Sequence, residues 1–309
     1  MSDSSFSTLW EADRSYPPLL RQTHRAPKRL FAAGLPLDEK GRYFAIVGTR
    51  HPSPYGKEMA HLFAYAIARA GFAVVSGLAY GIDAIAHEAA LAAGKKTLAV
   101  LGSGLDHITP FCNHSLAERI KKNGAILTEF ERHIPPNKKT FPQRNRIIAG
   151  MSEAVLIIEA PEHSGALITA RFGLEYNRDV FVLPGNITQE TSIGGNRLIR
   201  DCKAFPVTCV EDIFGYMKNG PYKREIFKNE PVADVTDPVE KTLFDAIRES
   251  PREVDELMRE SRFSAAQINS GLMHLQLKGA VVMEGSRVRL PPTHYSPLYA
   301  PPQSSSPPT

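Results

Sequence analysis

Cysteine is scarce in this sequence: Cys112, Cys202 and Cys209 are the only three in 309 residues. Three scattered cysteines build neither a disulfide framework nor a CxxC zinc knuckle, and they suit a reducing compartment, so a cytoplasmic setting is expected. Long apolar runs are missing too. None approaches the ~18 residues of a membrane span, and no membrane partner is expected. The first residues, MSDSSFSTLWEADRSYPP, lack the basic-then-apolar layout of a signal peptide. No GxxxxGK[ST] occurs, which excludes P-loop ATP hydrolysis. Gly102-Ser103-Gly104 begins a GxG, but His107 stands at the sixth position, so there is no dinucleotide fingerprint. Ser76 and Ser164 each adjoin a glycine without forming GxSxG. His107, Cys112 and His114 cluster around Pro110 at no zinc spacing. No metal, no cofactor and no catalytic residue is therefore expected.

What is present is an ordinary globular composition, with 42% hydrophobic and 23% charged residues, a net charge of +4 and a pI near 8.9. A mildly basic total permits a nucleic-acid partner without requiring one. Along the chain the composition divides into residues 1–40, an N-terminal extension with one apolar stretch at Leu30–Ala33; 41–215, the main domain; 216–236, a polar linker; 237–290, a second compact unit; and 291–309, a tail with seven prolines and four serines that should be disordered.

The main domain alternates short apolar runs with amphipathic stretches. Phe44–Val47, Ala73–Val75, Thr97–Leu101, Ala125–Leu127, Ala154–Ile158 and Val180–Leu183 are continuous rather than alternating, as parallel strands covered on both faces require. Helix-like stretches follow at Gly56–Arg69, Asp83–Ala93, Ser115–Lys122 and Ala166–Tyr176, with Gly71, Gly94 and Gly124 as expected C-terminal stops. This is the pattern of an α/β, Rossmann-like, doubly wound parallel sheet, in which ligands bind beyond the carboxyl ends of the strands. Residues 237–290 read as three helices and a hairpin turned through Gly285-Ser286, the pattern of a winged helix. That unit carries 8 Lys/Arg against 9 Asp/Glu between 236 and 290, and its third helix, Ala265–Lys278, has a single cation in Lys278.

Two places carry candidate chemistry. The loops VGTR (Val47–Arg50) and SGLAYGID (Ser76–Asp83) each follow a strand. Their glycines either let backbone approach an anionic ligand or simply make tight turns. The second place is residues 132–146, with five Lys/Arg and no carboxylate, a local +5 that exceeds the charge of the whole chain. Phe141 lies between Lys139 and Arg144. Cations interleaved with an aromatic suit single-stranded nucleic acid, where the ring stacks a base for ~1–3 kcal/mol; the alternative is a solvated basic loop with Phe141 in the core. Arg50, Arg144 and Arg146 converge on phosphate if both loops share one sheet edge, or Arg146 closes an internal salt bridge to Glu129 or Glu159. Asp83 and His87, four apart on one helix face, are either an acid–base pair or a structural helix-start contact.

Taken in order, YPPLL (Tyr16–Leu20), AIVGTR (Ala45–Arg50), SGLAYGIDAIAH (Ser76–His87), FPQRNRIIAG (Phe141–Gly150), SGALITA (Ser164–Ala170) and LPG (Leu183–Gly185) resemble the DNA-processing protein A (DprA/Smf) family over roughly residues 16–214. The resemblance implies a Rossmann-like domain that binds single-stranded DNA without hydrolysing nucleotide. It implies a homodimer that protects incoming strands in natural transformation and loads the RecA recombinase. Its DNA contacts would fall on Gly48, Thr49 and Arg50, on Lys138 and Phe141, on Arg144, Asn145 and Arg146, and on Ser164, Gly165 and Thr169. Two departures stand out: Thr109-Pro110 replaces a tyrosine-proline, and IRDCKA places Lys203 at a family glycine. Competing readings are a phosphoribohydrolase-like enzyme acting on nucleotides, whose PGGxGT-type loop is replaced here by PGNITQETSIGGN, and a winged-helix transcription regulator, which the slightly acidic unit disfavours.

Overall fold

The computed structural model describes residues 6–217, 237–277 and 280–290, in two units divided between Tyr222 and Lys223. Linker residues 218–236, Lys278, Gly279 and the 291–309 tail lie outside the described residues.

The first unit runs β1 (Phe6–Trp10), α1 (Pro18–Arg21), β2 (Arg29–Gly34), β3 (Tyr43–Val47), α2 (Pro54–Arg69), β4 (Ala73–Ser76), α3 (Ile82–Ala92), β5 (Thr97–Val100), α4 (His114–Asn123), β6 (Ala125–Thr128), α5 (Thr140–Met151), β7 (Ala154–Ile157), α6 (Gly165–Glu175), β8 (Asp179–Val182), α7 (Ile193–Arg200), β9 (Phe205–Pro206) and α8 (Val210–Tyr216). Its nine strands lie in the order β1-β2-β6-β5-β4-β3-β7-β8-β9. From β6 to β9 every pairing is parallel. The central strands are apolar apart from a terminal threonine in β5 and in β6 because helices cover both faces: all five residues of β3 and all four of β5, β6 and β7 are buried. From β3 the chain winds outward through β4, β5 and β6, then returns to lay β7 on the other side of β3. The winding therefore reverses between β3 and β7, and a crevice opens there beyond the strand ends.

The apolar stretch at 30–33 proves to be β2, which pairs antiparallel with β6, and β1 pairs antiparallel with β2. Residues read as an N-terminal extension thus complete the sheet. Tyr16 and Leu20 are fully buried behind it, and the Tyr16 hydroxyl donates to the Pro27 carbonyl at 2.7 Å.

Local chemistry sets the helix ends. Ser53 caps α2, its hydroxyl accepting from Gly56 N at 3.0 Å, with Pro54 at the first helical position. Gly71 and Gly94 take left-handed φ values of 95° and 65° after α2 and α3, as expected of C-terminal stops. Gly124 does not: its backbone is extended, and it is glycine because a Cβ there would sit 2.0 Å from the Thr97 carbonyl. On one sheet face Phe63 and Ile67 of α2, Phe72 and Phe214 pack against Phe44, Ile46 and Phe181. On the other, Ile147 and Met151 of α5 and Phe172 of α6 pack against Val47, Val155 and Leu127. Burial of each such side chain stabilises the fold by about 1.5–3 kcal/mol.

The second unit consists of α9 (Pro238–Glu249), β10 (Arg252–Glu253), α10 (Val254–Glu260), α11 (Ala265–Leu277), β11 (Val282–Glu284) and β12 (Arg287–Arg289). The three strands order as β10-β12-β11, with Gly285 at φ 65° in the hairpin turn. Leu243, Phe244, Ile247, Ile268, Leu272 and Val288 form its core. This is a winged helix, as the sequence pattern indicates.

Candidate nucleic-acid interface

The loops after β3, β4, β5, β6 and β7 meet at the carboxyl edge of the sheet. Glu159, after β7, ties the first of them down. Its carbonyl accepts from Thr49 N at 2.7 Å, and its side chain accepts from Ser53 N at 2.9 Å, Ser53 Oγ at 2.6 Å and Thr191 Oγ1 at 3.0 Å. Glu159 is 3% exposed, and Gly56 lies so close that a Cβ there would strike its carboxylate. With the backbone pinned, Gly48 and Thr49 lie low in the crevice while the Arg50 side chain stands exposed above it. Gly81 packs onto the same loop: a Cβ there would fall 2.5 Å from the Thr49 carbonyl.

Arg50 and Phe141 meet. The Arg50 guanidinium carbon lies 5.5 Å from the centre of the Phe141 ring. The ring rests on Gly102, where a Cβ would come within 2.9 Å of Phe141 Cδ1. Phe141 is half-buried rather than a core residue, so of the two readings left open the structure favours an accessible ring. Lys138 and Lys139 stand exposed at the start of α5, where the Asn137 side chain accepts from Lys139 N at 2.8 Å and Thr140 N at 3.1 Å.

The rest of the +5 strip is spoken for internally. Arg132 pairs with Asp106 at 2.9 Å. Arg146 pairs with Glu129 and donates to the Arg25 carbonyl. Arg144 is 4% exposed and turned inward, donating to the Gly77 carbonyl at 2.7 Å, to the Val100 carbonyl, and to Asn145 Oδ1 at 3.0 Å. The peptide before it is held by Asp83, which accepts from Gly77 N at 3.0 Å. A direct grip of Arg144 on phosphate does not fit this arrangement. Its guanidinium is a buried strut of the loop after β4, and Gly77 leaves it room, since a Cβ there would lie 2.4 Å from the guanidinium. Burial pulls the Arg144 pKa down to about 10, still charged at neutral pH, while burial raises that of Asp83 against the opposing pull of Arg144. Of five cations in the strip, Lys138 and Lys139 alone face solvent without a carboxylate partner among the described residues.

Asp83 and His87 do not form an acid–base pair. Asp83 is engaged by backbone N–H groups, and His87 Nδ1 lies 2.7 Å from Thr97 Oγ1. Burial first, and the Arg144 charge second, hold His87 neutral, with a pKa lowered to about 3. Ser164 caps α6, accepting from Ala166 N at 3.2 Å, and Gly165 is open to solvent beside it. Asn145 Nδ2 donates to the Gly165 carbonyl at 3.1 Å and so clips α5 to α6. Thr169 is 1% exposed, inside α6 and away from solvent. Among the described residues no group of three His, Cys, Asp or Glu could hold a metal, and no helix is long and apolar enough to cross a membrane.

The family model for DNA recombination-mediator protein A matches residues 7–218, and that for the DprA winged helix domain matches 228–285. This chain belongs to the DNA recombination-mediator protein A family. Protein Smf of Synechocystis is 35% identical over 310 residues, covering 88% of this chain and 77% of that protein. DNA processing protein DprA of Bacillus subtilis is 39% identical over 213 residues, covering 69% and 71%. Two solved family members superpose over 69% of this chain: the Streptococcus pneumoniae protein, with 37% identity, a TM-score of 0.65 and 75% of its own length covered, and the Helicobacter pylori protein, with 32%, 0.61 and 95%. The Helicobacter pylori structure was described for its mode of binding single-stranded DNA.

The left-handed backbone after α7 belongs to Cys202, at φ 52°, not to Lys203. Cys202 is therefore the residue standing where glycine would be least strained.

Proposed function

We propose that this chain is a single-stranded DNA-binding recombination mediator and not an enzyme. The observation that carries the reading is the pairing of Arg50 with Phe141 above the crevice where the sheet reverses its winding, with Lys138 exposed at the same edge. Seated on glycine, the Phe141 ring offers a base a stacking platform once the Arg50 guanidinium swings from over it to a phosphate, and Lys138 offers a second cation. Gly48, Thr49, Asn145, Ser164 and Gly165 shape the floor, and Thr169 supports α6 from within. Arg144 and Arg146 act by holding this edge rigid rather than by touching the strand. Carried over from the family, the role includes protecting incoming strands in transformation, loading RecA and acting as a homodimer in the cytoplasm.

Arg50→Ala and Lys138→Ala each remove an exposed charge and should weaken oligo-dT binding while leaving thermal stability nearly unchanged. The salt dependence should follow a log–log slope near −0.7 per phosphate neutralised. Wild-type affinity in both variants would reject the site. A nuclease-protection assay on single strands, with and without RecA, tests the wider role. Protection of duplex in preference to single strands would reject it.

A further inference from the structure

A cavity of about 530 Å³ opens between the segment around Arg25, α5 and α6, lined by Arg25, Gln143, Arg146, Ile168, Arg171 and Phe172 among others. Three arginines line it and no carboxylate does. Arg146 is committed to Glu129 and to the Arg25 backbone. Arg25 and Arg171 are exposed, and among the described residues neither pairs with a carboxylate. Glu175, one helical turn beyond Arg171 and placed to neutralise it, instead meets His24 Nε2 at 3.0 Å. The cavity therefore keeps about two uncompensated positive charges over an apolar floor of Ile168 and Phe172, with the Arg171 guanidinium 5.6 Å from the Phe172 ring.

This cavity is built on the same two helices, α5 and α6, that carry Phe141 and Gly165 of the candidate interface. Pro142 and Gln143 directly follow Phe141 in α5, while Ile168 and Arg171 lie along α6 beyond Ser164 and Gly165. The Asn145 hydrogen bond to the Gly165 carbonyl joins the two helices that form the groove.

We propose that the α5–α6 groove is a second subsite for the same strand, in which Arg25 and Arg171 hold phosphodiesters of the nucleotides adjoining the one stacked on Phe141. The proposal rests on the single-strand reading above. Unpaired arginines at a concave apolar surface take phosphates bidentately and accept a sugar or base edge beneath them. A phosphate would supply the negative charge that Glu175, engaged with His24, does not bring to Arg171.

The test is oligo-dT binding to the full chain across a salt series, for wild type, the double variant Arg25→Ala with Arg171→Ala, the matching double lysine variant, and Arg50→Ala. The double alanine variant should lose affinity, and its log–log salt slope should flatten by about 1.4, from two phosphates at about 0.7 each. Both side chains are exposed, so its thermal melting should match wild type, and the lysine variant should keep the slope. A wild-type slope and affinity in the double alanine variant, with Arg50→Ala still weakened, overturns the second subsite and leaves the main site standing. If Arg50→Ala also binds like wild type, the single-strand reading itself falls. Binding of dTMP that depends on Arg171, with oligo-dT affinity unaffected by the double variant, assigns the cavity to a free nucleotide and likewise overturns the proposal.

Discussion

Replacing Arg144 by alanine should cost stability first and DNA binding only in consequence. In the structure its guanidinium donates to the carbonyls of Gly77 and Val100 and faces the Asp83 charge, with 4% of the residue exposed. Hydrogen bonds from a charged donor are worth about 1.5–3 kcal/mol each, and losing one partner of a buried charged pair costs about 3–5 kcal/mol because the other charge is stranded. The two routes overlap, so the expected loss is about 3–5 kcal/mol, a large share of the 5–15 kcal/mol typical of a whole domain. Urea unfolding at neutral pH reads it directly as a lower midpoint with an unchanged m-value. Arg50→Ala is the control: exposed and contributing little to folding, it should keep the wild-type midpoint and lose oligo-dT affinity. The reasoning is refuted if Arg144→Ala unfolds at the wild-type midpoint yet binds DNA as poorly as Arg50→Ala. That result would mean the guanidinium leaves its pocket to grip the strand.

Three further outcomes follow from other sites. Gly102→Ala places a methyl 2.9 Å from the Phe141 ring and should displace it, weakening single-strand affinity by up to the ~1–3 kcal/mol of a stacked base, as fluorescence anisotropy on oligo-dT would read. Cys202→Gly removes a left-handed non-glycine backbone and should raise stability by about 0.5–1 kcal/mol in thermal melts, the strain relieved being partly offset by a freer unfolded chain. His87 is held neutral in the fold with a pKa near 3, so the unfolded chain binds the extra proton: its contribution is complete above about 6.5 and is lost as pH falls toward 3, by about 2 kcal/mol at pH 5. In His87→Gln the dependence of stability on pH between 7 and 5 should flatten by that amount.

The parallel sheet was legible because its strands are buried on both faces, and continuous apolar runs such as Phe44–Val47 and Ala154–Ile157 announce that directly. β1 was not. Its sequence, FSTLW, mixes polar and apolar residues, and what makes it a strand is pairing with β2, itself fixed only by the distant β6. At the candidate interface, Gly48–Arg50 and Phe141 could be named from motif and spacing. The division of labour among the arginines could not, because a sequence count weights every cation equally. Arg132, Arg144 and Arg146 differ only in what the fold brings to them: Asp106, the Gly77 peptide with Asp83, and Glu129. The Glu129 option for Arg146 was visible as one of two, whereas the four contacts that make Glu159 the anchor of the Thr49–Ser53 loop come from three separate segments. The Arg25–Arg171 cavity left no trace either, since its arginines are scattered along the chain and only the packing of α5 on α6 assembles them.

The strand that sequence patterning passed over has its own consequence. A sheet with open borders invites other chains to add to it. On one side here the border is β9, two residues long and ending in Pro206, which has no N–H to offer a newcomer. On the other it is β1, whose exposed Phe6 and Trp10 lie beneath the guanidinium groups of Arg132 and Arg29. Behind β1 lies β2, with Leu30 to Ala33 buried. Without its selvage, that apolar strand would become the border, and the molecule would be sticky toward copies of itself. Five residues at the start of the fold thus bear on colloidal behaviour rather than on recognition.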